Sequence, residues 1–171
     1  MLLDSVNGYK VPSKTDIRNQ LAEISMELKK LPGVSDVSHT ADFDKFVATI
    51  RFSFDKVENL NTIADKLFAE MKIKPSTLSS YRYNKANHTF NRIYEYEPIV
   101  KTEFDKLKDA DKEVFNTATY TSIYRFDRTV ISQSNTSAKL AASKKAVMIQ
   151  SPLLDLISGK RNITNQIKLA N

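Results

Sequence analysis

From Phe46 to Phe54 the chain alternates strictly, placing Phe46, Ala48, Ile50, Phe52 and Phe54 on one face and Val47, Thr49, Arg51 and Ser53 on the other. A period of two is the signature of a strand with one buried face. A lone strand leaves its backbone unpaired, so a partner is required. The nearest candidate is an extended run over about 34–40, joined to it by the polar turn Asp42-Phe43-Asp44-Lys45. The expectation is an antiparallel hairpin.

Helical signals flank this hairpin. Ser13, followed three residues later by Asp16, reads as a helix start, and Ile17, Leu21, Ile24 and Leu28 recur at helical spacing. Leu31-Pro32-Gly33 should end that helix, because glycine accepts a left-handed cap and proline cannot continue the ladder. Asp55 with Glu58 predicts the cap of a second helix, whose buried stripe is Val57, Leu60, Ala64, Leu67, Phe68 and Met71 and whose stop is Lys74-Pro75. Two extended runs follow, about Leu78–Tyr83 and Phe90–Tyr96, around the polar loop Asn84–His88. Pro98 opens a third helix with Val100, Phe104, Leu107 and Val114 as its apolar positions.

Beyond Thr117 the pattern changes to short strands: 119–126, 129–132, 138–140 and 146–150. A single helical turn, Leu153–Ile157, comes next, and then a strand alternating Ile163, Asn165, Ile167 and Leu169. The order is therefore roughly α-β-β-α-β-β-α-β-β-β-β-(short α)-β. Connections of hairpin length favour an α+β fold, with antiparallel sheets and three main helices, over parallel βαβ units. The 171 residues, 41% of them hydrophobic, suffice for one domain over 1–171. A subdivision near Pro98, into 8–97 and 98–171, is the alternative.

Chemistry is scarce. The absence of cysteine excludes disulfides, thiolate metal sites and a cysteine nucleophile. His39 and His88 are the only histidines and neither has a partner at metal-ligand spacing. The serines lack a nucleophile elbow, and Asp42/Asp44, Asp109/Asp111 and Glu95/Glu97 stand among lysines in a turn, on a helix and along a strand. With Gly8, Gly33 and Gly159 isolated, no glycine-rich loop can cradle a phosphate. The residues point to no enzyme, no cofactor and no metal.

Two features suggest binding. Tyr81-Arg82-Tyr83 lies on one run, and Phe90, Arg92, Tyr94 and Tyr96 share a face of the next. An open face would be a ring-and-guanidinium platform that Arg51 could extend; a covered one would be core, which is the commoner fate of strand aromatics. The second feature is charge. The net +6 lies wholly in 117–171, where Arg125, Arg128, Lys139, Lys144, Lys145, Lys160, Arg161 and Lys168 oppose only Asp127 and Asp155. Such asymmetry attracts nucleic acid, anionic lipid or an acidic partner, unless it is simply a solvated face. The candidate binding residues are Tyr81, Arg92, Tyr94, Tyr96, Arg128, Lys144, Lys145, Lys160 and Arg161. A faint likeness of Lys45–Phe52 to the aromatic strand of RNA-recognition domains lacks the small residues that motif needs.

The stretches Tyr120–Asn135, Ala138-Lys139-Leu140, Ala146–Ile149 and Pro152–Lys160 resemble the ending of uncharacterised lipoproteins of Bacteroidetes-type bacteria. Leu28–Val37 and Phe52–Asn61 resemble their middle part. That resemblance implies a signal peptide and a lipidated cysteine upstream, and a domain tethered at the cell envelope, touching the membrane only through that anchor. It carries no activity or catalytic residue. No run approaches the ~20 apolar residues of a membrane helix, and Met1-Leu2-Leu3-Asp4 is too short for a leader. The expected role is non-enzymatic binding of an envelope protein or an anionic surface component. The alternative is a cytoplasmic nucleic-acid-binding module.

Overall fold

The Ser13 side chain starts the first helix as its spacing predicts. Ser13 is extended, its Oγ accepts from the Asp16 amide at 3.1 Å, and the Asp16 carboxylate accepts from the Ser13 amide at 2.9 Å. Two otherwise orphaned donors are thereby satisfied reciprocally. In this computed structural model the backbone is described for residues 5–6, 9–10, 13–70 and 78–171, and side chains for 13–66 and 79–171. The protein is α+β with antiparallel sheets, and divides into two compact units, Met1–Ile73 and Lys74–Asn171.

In the first unit, β1 (Ser5–Val6) and β2 (Tyr9–Lys10) form a short antiparallel pair, followed by α1 (Lys14–Lys29). Gly33, at φ +73°, makes the left-handed turn into β3 (Val34–Asp42), which pairs with β4 (Val47–Phe54) from Val34↔Phe54 to Asp42↔Val47. Leu21 and Leu28 of α1 and Ile63 of α2 are buried, and Lys66 of α2 (Asn59–Glu70) reaches Glu27 of α1 at 3.0 Å.

Two local expectations are corrected here. Phe46 is a turn residue at φ +53° and 94% exposed, because the Asp42 carboxylate holds the amides of Asp44 and Lys45 in a four-residue loop. Asp55 does not cap α2: its amide donates to Gly33 O at 2.9 Å and closes the hairpin base. Asn59 Oδ1 then accepts from the Lys56 amide, and the helix begins at Asn59. The predicted stripe positions Leu67, Phe68 and Met71, and the stop at Lys74-Pro75, lie outside the described side chains and backbone.

The second unit contains two sheets. β5 (Leu78–Asn84) and β6 (Thr89–Glu95) form a hairpin; β6 also pairs with β11 (Asn165–Leu169), and β11 with β8 (Val130–Gln133). β10 (Ala146–Pro152) pairs with β7 (Thr119–Arg125) on one side and β9 (Lys139–Leu140) on the other. Tyr94 of β6, Ile149 of β10, Leu156 of α5 (Leu153–Ile157) and Ile163 of the segment before β11 form a common core, with Tyr96, Tyr120, Ala138 and Leu153 packed around it.

The alternation Ile163, Asn165, Ile167, Leu169 is buried at each of those positions, as its spacing predicts. Pro98 lies inside this unit, because the β6–β11 pairing ties residues before it to the C-terminal strand. The third helix is broken into α3 (Pro98–Asp105), α4 (Asp109–Lys112) and a 3₁₀ turn Glu113–Phe115. Lys108 is extended, the Phe104 and Phe115 rings meet edge to face at 5.3 Å, and Val114 is left outside at 67% exposure. Among the described residues, no helix is long and apolar enough to cross a membrane.

Candidate functional site

The aromatic and arginine face of β6 is covered. Phe90, Arg92 and Tyr94 are all buried, and the Phe90 ring lies 5.0 Å from Tyr124 and 5.6 Å from Phe126 of the facing sheet region. Tyr96 donates its hydroxyl to Ile157 O at 3.2 Å. Tyr94 and Tyr96 are thus core residues that lock β6 onto the helix α5 region, and no open stacking platform exists on this face. Arg51, the proposed extension, belongs to β4 in a different sheet, opposite Ser38.

Arg92 is the unusual member. It stands opposite Tyr81 on β5 and Asn165 on β11, with its guanidinium carbon 4.4 Å from the Tyr81 ring centre. It is 6% exposed and forms no ion pair among the described residues; its Nε and Nη1 are buried without a partner. Asn165 Nδ2 shares that condition. Burial pushes the Tyr81 phenol up to about 12, against the opposing pull of the Arg92 charge, and raises Tyr94 and Tyr124 in the same direction.

The basic residues fall into separate places. Arg128 is half-buried: its Nη1 lies 3.1 and 3.2 Å from the ring nitrogens of His88 and donates to Ala170 O, so it fastens the β5–β6 turn to the C-terminus. Lys144 and Lys145 occupy an exposed turn whose carbonyls accept from Val130 and Phe126, and Lys144 adopts φ +56°. Their side chains point to solvent, apart from the cleft described next.

Lys160 and Arg161 line a depression of about 340 Å³ with Asn162 and Thr164 on their own segment and Ser134, Asn135, Thr136 and Ser137 on the facing loop. The loop is held by asparagines. Asn135 Nδ2 donates to Asn162 O and Thr164 O at 3.0 and 2.9 Å, and Asn165 Oδ1 accepts from the amides of Ser134 and Asn135. Arg161 donates to Ser137 Oγ at 3.2 Å, and its Nε stands 3.8 Å from Asp155, which lies outside the lining. Lys160 makes no ion pair among the described residues. Two cations, several hydroxyls and side-chain amides, and no lining carboxylate are the donor set that takes an anionic group on a polar carrier. Sequence reasoning found Lys160 and Arg161 by charge but left Ser134 and Asn135 without a role between two short strands; the partner loop is brought in by folding.

A serine–histidine pair does form elsewhere: Ser25 Oγ and His39 Nδ1 are hydrogen bonded at 2.8 Å, pinning α1 to β3. Ser25 is 3% exposed, and no carboxylate orients His39 among the described hydrogen bonds, so the pair has neither the access nor the third group of a nucleophilic triad. No group of three or more metal-ligating side chains occurs among the described residues. Compared with family models, curated proteins and solved structures, the chain matches none.

Proposed function

We propose that the protein is a non-enzymatic binding domain of a cell-envelope lipoprotein, tethered by a lipid anchor upstream, and that its Lys160/Arg161 depression receives an anionic surface component. The observation that carries this reading is the lining itself: two cations faced by Ser134, Asn135, Thr136 and Ser137, with no carboxylate among them. The polar rim suits a phosphate- or carboxylate-bearing saccharide better than an acyl chain. The nucleic-acid alternative draws no support from Phe90, Arg92 and Tyr94, which are turned inward and cannot stack bases.

The test is a titration of isotopically labelled protein with inorganic phosphate and, separately, glucuronate, followed by amide chemical shifts. Saturable shifts confined to 134–137 and 160–164, and lost in the double variant Lys160→Glu/Arg161→Glu, are expected. Shifts spread equally over Lys144 and Lys145, or none at millimolar ligand, would count against the site. Mass spectrometry of the native N-terminus tests the tether independently; an unacylated start would return the protein to the cytoplasm.

A further inference from the structure

A guanidinium stays charged at any pH a protein survives, and removing it from water unpaired is strongly unfavourable unless the charge is matched. Arg92 is 6% exposed between two sheets, yet no carboxylate meets it among the described residues. The Tyr81 ring at 4.4 Å answers part of that charge through its π face, but leaves Nε and Nη1 without acceptors. The neighbouring groups do not supply them. Asn165, directly across the β6–β11 pair, has an unpaired Nδ2, while its Oδ1 is already shared by Ser134 N, Ser134 Oγ and Asn135 N. The Tyr124 phenol is engaged with Tyr81 and Ser122 and offers Arg92 no negative charge. No phenolate supplies negative charge either, since burial keeps Tyr81, Tyr94 and Tyr124 protonated.

A buried, unpaired amide donor therefore stands directly across the strand pair from a fixed positive charge. We infer that Arg92 and Asn165, on the face between the two sheets, form an interior site for one small monovalent anion of halide size. The packing of Phe90 against Tyr124 and Phe126 at 5.0 and 5.6 Å excludes a sugar or a nucleotide from this layer. β5 and β7 are edge strands of their sheets, and Tyr81 and Tyr124 on them are half-buried. An anion bound only by the folded state raises stability by mass action.

The experiment is thermal unfolding of the full chain in sodium chloride, sodium bromide and sodium gluconate at equal ionic strength, with bromide-soaked crystals read by anomalous scattering. The midpoint should rise saturably with chloride and bromide and stay flat in gluconate, and one anomalous peak should touch Arg92. Asn165→Asp places a carboxylate opposite Arg92 while keeping the acceptor for Ser134 and Asn135, so it should fold and lose the chloride dependence. Lys160→Glu should retain that dependence, which separates this site from the surface depression. Equal midpoints in chloride and gluconate with no bromide at Arg92, or bromide only at Lys160/Arg161, would overturn the inference. The crystallographic arm decides the matter even where Asn165→Asp does not fold.

Discussion

Gly159 lies against the ring of Tyr96: a Cβ at Gly159 would fall 2.7 Å from Cε1 and 2.8 Å from Cδ1. Gly159 also holds φ +70°, where an L side chain is strained. Tyr96 cannot retreat freely, because its hydroxyl is committed to Ile157 O. Gly159→Ala should therefore cost about 2–4 kcal/mol, combining ~1 kcal/mol for the left-handed backbone with an overpacking penalty of about 1–3. Urea unfolding monitored by tyrosine fluorescence measures it; a loss below about 1 kcal/mol would mean that Tyr96 moves without cost.

The Ser13 and Asp16 exchange of hydrogen bonds makes a second prediction. Ser13→Ala removes the acceptor for the Asp16 amide and should cost about 1 kcal/mol. The effect belongs at the start of α1, so hydrogen exchange should quicken over the first turn after Lys14 and remain unchanged in β10. A uniform change along the chain would contradict a local cap.

The signals that could be read in sequence are short-range. The period of two in β4 and the Ser13 cap act within a few residues, and β3–β4, β5–β6 and the final strand follow from them. The third helix failed to be continuous because Phe104 and Phe115 meet across a bend, a tertiary contact that helical spacing does not encode. The start of α2 failed similarly: Asn59 reaches back to Pro32 O at 3.1 Å, while Asp55 is used to close a hairpin. The depression is the clearest case. Lys160 and Arg161 declare themselves by charge, but Asn135 reaches Asn162 and Thr164 across 27 and 29 residues, a span no local pattern reveals. Arg92 had two open readings because alternation defines a face without saying what covers it.

Asn165 links the interior to that depression, and it supplies a third prediction. At 1% exposure its Oδ1 accepts from three donors on the 134–135 loop. Asn165→Ala leaves at least the Asn135 amide without its acceptor, and should cost about 2–3 kcal/mol. Asn165→Asp keeps an acceptor there and faces Arg92, so its cost should be smaller. The loop's amides should exchange faster in Asn165→Ala, and phosphate should bind the depression more weakly, because Ser134 and Ser137 would no longer be held. Unchanged loop exchange would show that Asn135, through Asn162 and Thr164, suffices to hold the loop alone.

The tyrosines predict how stability responds to alkali. A phenol in an unfolded chain ionises at about 10, whereas burial raises Tyr81 to about 12 in the folded protein and shifts Tyr94 and Tyr124 upward as well. The folded state thus binds these protons more tightly than the unfolded state. Their contribution is fully present below about pH 10 and is lost as pH rises towards about 12, because the unfolded chain releases its protons first. Of the seven tyrosines, these should titrate late when phenolate absorbance is followed, and the unfolding midpoint should fall steadily over the same interval. Arg92 opposes the rise at Tyr81, so Arg92→Met should delay ionisation of that phenol further wherever the variant stays folded. Seven phenols ionising together at about 10 with the fold intact would contradict the burial of Tyr81 and Tyr124 between the sheets.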